Sequence, residues 1–278
     1  MGSTLTFPEK VKTMGMPVGI ADRWPSDGAH PSDGRLPARR RVRDTPLRAR
    51  DAAAPSPPGS LRRVTEILAL EGVAVDRYAD VLFAVAAALV NDDVDLARVR
   101  LSPIAGERWF GSVKLAGVQQ SDGVFKRVPI KERDRALTLI RDGFRCSACG
   151  GRAVPRGVLV ALSDVFPNEL PYQPHYKRGE IHPVYWALAA EADHVLPSSS
   201  GGSSELTNLR TIHAFCNTQR GNALLEDHER VAPAPAADDW DGLIAAYPQI
   251  VAFAAARGFG YSGSKYHTVR MRAFGIGD

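Results

Sequence analysis

The stretch EADHVLPSSSGGSSELTNLRTIHAFCNTQRGN, Glu191 to Asn222, governs the reading of the whole chain. It holds an Asp-His pair, a Gly-Gly turn, an Asn-Leu and the cluster HAFCN. Pro197 ends a short strand, and Gly201-Gly202 permits a sharp loop. LRTIH then reads as a second strand, and FCNTQRGN as the start of a helix. Adjacent side chains on a strand point to opposite faces, but at a strand end twist can bring both to the rim of one cleft. Asp193 there can hold a hard divalent cation. A neutral His194 beside it can take a proton from water near neutral pH. Asn208 can pin the loop by bonding backbone groups across it. Asn217 lies where its amide oxygen could face the same cation.

Two cysteine-containing pairs bracket this span. CSAC puts Cys146 and Cys149 at the spacing of a metal knuckle, and HAFC gives His213 and Cys216 the same gap. Together they make a four-ligand set suited to tetrahedral zinc. The long chain between Cys149 and His213 is tolerable because loop-closure cost grows only logarithmically with length. A redox role for Cys-x-x-Cys would need a thioredoxin-like strand-helix context, which does not surround it.

In order and spacing these residues resemble the HNH nuclease motif, the ββα-metal family, in its zinc-stapled branch. The resemblance rests on DH (193–194), P (197), GG (201–202), NL (208–209) and CN (216–217), preceded by RDGFRCSACG (141–150), and spans roughly Lys131 to Asn222. It implies that Asp193 and Asn217 are ligands of a catalytic divalent ion, Mg²⁺ or in its place Mn²⁺ or Ni²⁺. His194 would be the general base, and Asn208 would orient the loop carrying it. Cys146, Cys149, His213 and Cys216 would hold structural zinc. Two departures stand out: many zinc-stapled members have Cys where this chain has His213, and the block 151–190 is longer than usual.

Working outward gives an expected α+β protein, with mainly helical flanking regions around the ββα-metal core. Residues 1–60 read as a disordered Arg/Pro-rich tail. Within it Arg35 to Arg50 carries seven Arg against one Asp, either a solvated tail or a run able to hold phosphates. Residues 61–130 form an expected N-terminal, mainly helical domain. LRRVTEILALEG reads as a helix ending at Gly72. DRYADVLFAVAAALVNDD reads as a second, with Asp76 as a candidate N-cap and Tyr78, Val81, Leu82, Val85 and Leu89 as its core face. Residues 131–230 are the expected nuclease domain. Its insertion, 151–190, would reshape the DNA-binding face or carry a subunit contact, and its His175 and His182 read as surface or core residues. Residues 231–278 are an expected helical extension, with DDWDGLIAAY and PQIVAFAAARG as two helices parted at Pro248. Lys265, Arg270 and Arg272 interleave with Tyr261 and Tyr266, a pattern that could grip a nucleic-acid backbone. Arg220 is a further candidate DNA contact.

Bulk properties exclude several classes. The 278 residues carry a formal net charge of +4, with a sequence pI of about 9.0, which is compatible with a nucleic-acid partner. Three cysteines do not suggest a secreted disulfide framework and fit a reducing, cytoplasmic setting. No apolar run approaches a membrane span; AVAAALV (Ala84–Val90) is short and flanked by charges. The expected activity is hydrolysis of DNA phosphodiester bonds by a double-strand-cutting restriction or defence enzyme, with double-stranded DNA as partner and a homodimer supplying two active sites. Competing readings are a zinc-stapled nucleic-acid-binding protein without cleavage, and a nuclease acting on RNA or modified DNA.

Overall fold

Two small sheets and eight helices position the site, seen in a computed structural model that describes residues 65–70, 72–114, 129–221, 239–258 and 265–277. The tail 1–60, its Arg run and Tyr261 lie outside the described residues. Strand β1 (Thr65–Ile67) pairs in parallel with β2 (Glu107–Trp109), and Phe110 N–H donates to the Ile67 carbonyl at 2.8 Å. A helix was expected over this segment. Its described part is instead a strand, because β-branched Thr65 and Ile67 find a distant partner that outweighs the local period. Helix α1 (Gly72–Val90) begins where the expected helix was to end. Asp76 is therefore inside α1, not its cap, and accepts from Arg152 Nη2 at 3.3 Å.

The apolar face of α1 behaves as its spacing predicts. Tyr78, Leu82, Val85 and Leu89 are buried, and Val81 packs half-buried against the same core. Helix α2 (Val94–Leu101) folds back on α1. Asp93 caps it by accepting from Leu96 N–H at 2.8 Å. Helix α3 (Glu132–Arg141) leads into the first cysteine pair, as expected.

The block 151–190 supplies buried core elements. Strand β3 (Val154–Pro155) opens it, and helix α4 (Arg156–Val165) is buried at every residue from Gly157 to Val165. Helix α5 (Val184–Ala187) follows. Strand β4 (Ala189–His194) pairs in parallel with β3 and antiparallel with β5 (Leu209–His213), setting Asp193 opposite Arg210 and His194 opposite Leu209. Helix α6 (Ala214–Arg220) completes the ββα unit. Only one of the two helices expected around Pro248 forms, α7 (Tyr247–Ala256), with Pro248 in its first turn, where a missing N–H costs nothing. Helix α8 (Lys265–Ala273) closes the chain. Asp164 of α4, Tyr247 of α7 and His267 of α8 join in a buried network: Tyr247 Oη lies 2.7 Å from His267 Nδ1, and His267 Nε2 lies 3.2 Å from Asp164 Oδ2. Gly157 lets this happen, since a Cβ there would lie 2.5 Å from Tyr247 Oη.

His182 is a core residue, fully buried, and His175 is exposed. His182 Nε2 lies 2.8 Å from the Ile104 carbonyl, and its Nδ1 accepts from Val184 N–H at 3.1 Å, so the ring is neutral with the proton on Nε2. Burial pushes its pKa down to about 3. Below about pH 6.5 the unfolded chain takes a proton that the folded chain refuses. The stability this group contributes is full above that pH and is lost as pH falls towards 3, by about 1.4 kcal/mol per pH unit. Urea unfolding of the zinc-loaded protein at pH 7 and pH 5 is expected to differ by about 2 kcal/mol more in the natural chain than in His182→Gln.

Candidate active site

Asn208 makes three hydrogen bonds across the loop between β4 and β5. Asn208 Oδ1 accepts from Leu196 N–H at 2.9 Å, and its Nδ2 donates to the carbonyls of Leu196 at 3.1 Å and Ser203 at 2.8 Å. Gly201 adopts φ 84°, and a Cβ on Gly202 would lie 1.8 Å from the Leu196 oxygen, so the second glycine is required by close backbone approach. From the other side, Arg141 donates to the carbonyls of Leu206 and Leu209, each at 2.7 Å. Asp142 Oδ2 accepts from Thr211 N–H at 2.7 Å. Residues 141–142 thus fasten the end of α3 to β5.

Asp193, His194 and Asn217 line one cavity of about 600 Å³, bounded also by Glu191, Arg156 and Arg270. His194 Nε2 lies 3.0 Å from Ser204 Oγ. Asp193 Oδ2 accepts from Arg220 Nη1, and Arg210 Nη2 stands 3.5 Å from the same oxygen. Arg220 is not on the surface where a DNA contact would place it. It is 5% exposed and donates further to the carbonyls of His194 and Val195, each at 2.8 Å. Its guanidinium pins the strand end that carries the Asp-His pair. Lys265 and Arg272 are exposed on α8. Arg270 stacks on Tyr266, its Cζ 3.6 Å from the ring centre.

Cys146, Cys149, His213 and Cys216 converge, their donor atoms all within 4.8 Å of one another. Tetrahedral zinc with bonds of about 2.3 Å to sulfur separates two sulfurs by about 3.8 Å, so the donor set fits the ion. Cys149 Sγ lies 3.4 Å from His213 Nδ1, and His213 Nε2 lies 3.1 Å from the Arg152 carbonyl. A proton on Nε2 donated to that carbonyl leaves the Nδ1 lone pair facing the thiols, the tautomer a metal ligand needs. His213 therefore stands in the cluster as the fourth donor. The knuckle is built by Gly150 N–H donating to the Cys146 carbonyl at 2.8 Å, and it is joined to β5 by Ser147 N–H donating to the Thr211 carbonyl at 2.8 Å. Three thiols at this distance compete for protons. Hydrogen bonds from Cys149 and Cys216 pull Cys146 far down, while bonds to Cys146 and Cys149 push Cys216 far up. A divalent cation resolves that competition by taking thiolates directly.

Residues 179–223 match the family model described as HNH endonuclease. This segment is similar to the HNH endonuclease family. It contains Asp193, His194, Asn208, His213, Cys216 and Asn217, while the Cys146–Cys149 pair lies upstream of the match. No curated protein matches the chain, and no solved structure does. HNH domains are those of nucleases that use a divalent metal, and the Cys₃His cluster, half of it inside the matched segment, is compatible with structural zinc. Among the described residues no helix is long and apolar enough to cross a membrane. Sequence reasoning missed Glu191, Arg156 and Ser204 at the HNH site. Glu191 was inside the quoted stretch, two residues before Asp193, and the period-two alternation of a strand was the signal that could have found it.

Proposed function

We propose that the protein is a metal-dependent HNH endonuclease that hydrolyses DNA phosphodiester bonds, a double-strand-cutting restriction or defence enzyme. The observation that carries this is the shared cavity of Asp193, His194 and Asn217, with Asn208 bonded across the loop behind them. Mg²⁺, Mn²⁺ or Ni²⁺ held there would supply Lewis-acid stabilisation of the phosphate and the leaving 3′ oxygen, worth several kcal/mol. Asp193 would offer Oδ1, since Arg220 addresses Oδ2. Asn217 would offer its amide oxygen. Both are hard oxygen donors, as such a cation prefers. His194, with Nε2 turned to Ser204, would take the proton of the attacking water at Nδ1, leaving a 5′ phosphate on the product.

Further features extend the reading. Lys265, Arg270 and Arg272 of α8 would track the DNA backbone, and a homodimer would supply one site per strand. Cys146, Cys149, His213 and Cys216 would carry structural zinc and so join the knuckle to the catalytic unit. The divisions at 60/61, 130/131 and 230/231 and a cytoplasmic setting belong to the same proposal.

The two guanidiniums on Asp193 favour one other reading, a zinc-stapled nucleic-acid-binding protein without cleavage, because they already neutralise the carboxylate. Matched duplex DNA, single-stranded DNA, RNA and modified duplex decide between these readings. Metal-supported cutting of plain duplex is the expected result. Binding without cutting, or cutting confined to RNA or modified DNA, would overturn it.

A further inference from the structure

Glu191 is one of three carboxylates that line the cavity, with Glu132 and Asp193. It lies two residues before Asp193 on β4, so the two side chains leave the strand on the same face. Its two oxygens have different partners. Oε1 accepts from Arg156 Nη2, and Oε2 accepts from Asn217 Nδ2 at 2.7 Å. The second contact decides the orientation of the Asn217 amide. An ionised carboxylate only accepts, so the group facing it must be the NH₂, whatever the ambiguity of amide assignment in general. The oxygen of Asn217 is therefore directed away from Glu191. Arg156, at the start of the buried helix α4 and near the Tyr176 ring (5.4 Å), in turn anchors Glu191.

Resting on the nuclease reading above, we propose that Glu191 is a positioning residue for the cation site: through its hold on the Asn217 NH₂ it keeps the Asn217 oxygen available to the metal. Without that carboxylate the amide is free to turn and present its NH₂, whose hydrogens repel a cation. Glu191 acts through Asn217 and is not itself a ligand, since both of its oxygens already serve Arg156 and Asn217. Partners of this kind, one step behind the ligands, typically change metal affinity 10–100-fold when removed.

Mn²⁺ binding to the zinc-loaded full chain, followed by electron paramagnetic resonance, tests the proposal apart from catalysis. Glu191→Ala is expected to weaken Mn²⁺ binding about 10–100-fold. The double variant Glu191→Ala/Asn217→Ala is expected to bind no more weakly than Asn217→Ala alone, because the two act in series. Glu191→Gln, which keeps an oxygen for the Asn217 NH₂ and guards against a misfolded alanine variant, should bind more tightly than Asn217→Ala. Unchanged affinity in Glu191→Ala overturns the proposal. So does a double variant weakened by the full product of the single effects, which would make Glu191 an independent ligand, or a Glu191→Gln as weak as Asn217→Ala. If the natural chain binds Mn²⁺ and cuts DNA while any of these holds, only the positioning role falls. If it does neither, the nuclease reading falls with it.

Discussion

Cys146→Ser, or stripping the metal with a strong chelator, is expected to unfold the zinc-stapled region and with it the catalytic unit. Structural zinc contributes about 10–16 kcal/mol of apparent binding free energy in small zinc domains. Whole-protein stability is typically only about 5–15 kcal/mol. Cys146 and His213 are the two buried members of the cluster, and Cys146 Sγ also receives His213 N–H at 3.4 Å. Loss of Cys146 therefore disturbs both halves of the staple, the knuckle and the β5–α6 junction. The measurement is metal content together with thermal unfolding by circular dichroism. One zinc per chain is expected in the natural protein. Each kcal/mol lost shifts the midpoint by about 2–4 °C in a chain of this size, so the variant should lose tens of degrees or its cooperative transition altogether. Unchanged melting after quantitative zinc removal would remove the staple from the account.

His194→Ala is expected to lower the DNA cleavage rate about 10²–10⁴-fold while leaving DNA affinity within a few-fold of the natural protein. The asymmetry follows from position. His194 ends β4 with its ring turned to Ser204, where it would move a proton, whereas the charges that would hold phosphate come from other elements, Arg270 on α8 among them. Loss of rate without loss of binding is the mark of a group that acts only in the transition state. Single-turnover cleavage and a separate filter-binding titration read the two quantities. Undiminished cleavage would take His194 out of the mechanism, and equal losses of rate and binding would give it a structural role.

The order strand, loop, strand, helix was legible because each of its signals is local. Pro197, the Gly201-Gly202 turn and Asn208 act within one short loop, and the three Asn208 bonds are the backbone bonds its residue type favours. The four sulfur and nitrogen donors were legible for a related reason, since each pair is a local spacing and only their meeting is long-range. What escaped was decided by distant partners. Thr65–Ile67 became a strand by pairing with Glu107–Trp109. The Pro- and aromatic-rich block after Cys149 turned out to hold α4, whose burial depends on packing by α7 and α8. Arg220 looked like a surface cation by type and by its place at a helix end, and nothing local told that its guanidinium turns inward to Asp193 and two carbonyls. Glu191 likewise has its meaning only through Arg156 and Asn217, both far along the chain.

The most direct test of the central claim, that the cleft of Asp193, His194 and Asn217 hydrolyses DNA, is incubation of folded, zinc-loaded protein with supercoiled plasmid across a Mn²⁺ or Mg²⁺ titration. The expected result is nicked or linear product that appears only with the added divalent ion and carries 5′-phosphate ends. Plasmid left intact at every concentration of Mg²⁺, Mn²⁺ and Ni²⁺, by protein shown to be folded and to bind that DNA, would contradict it.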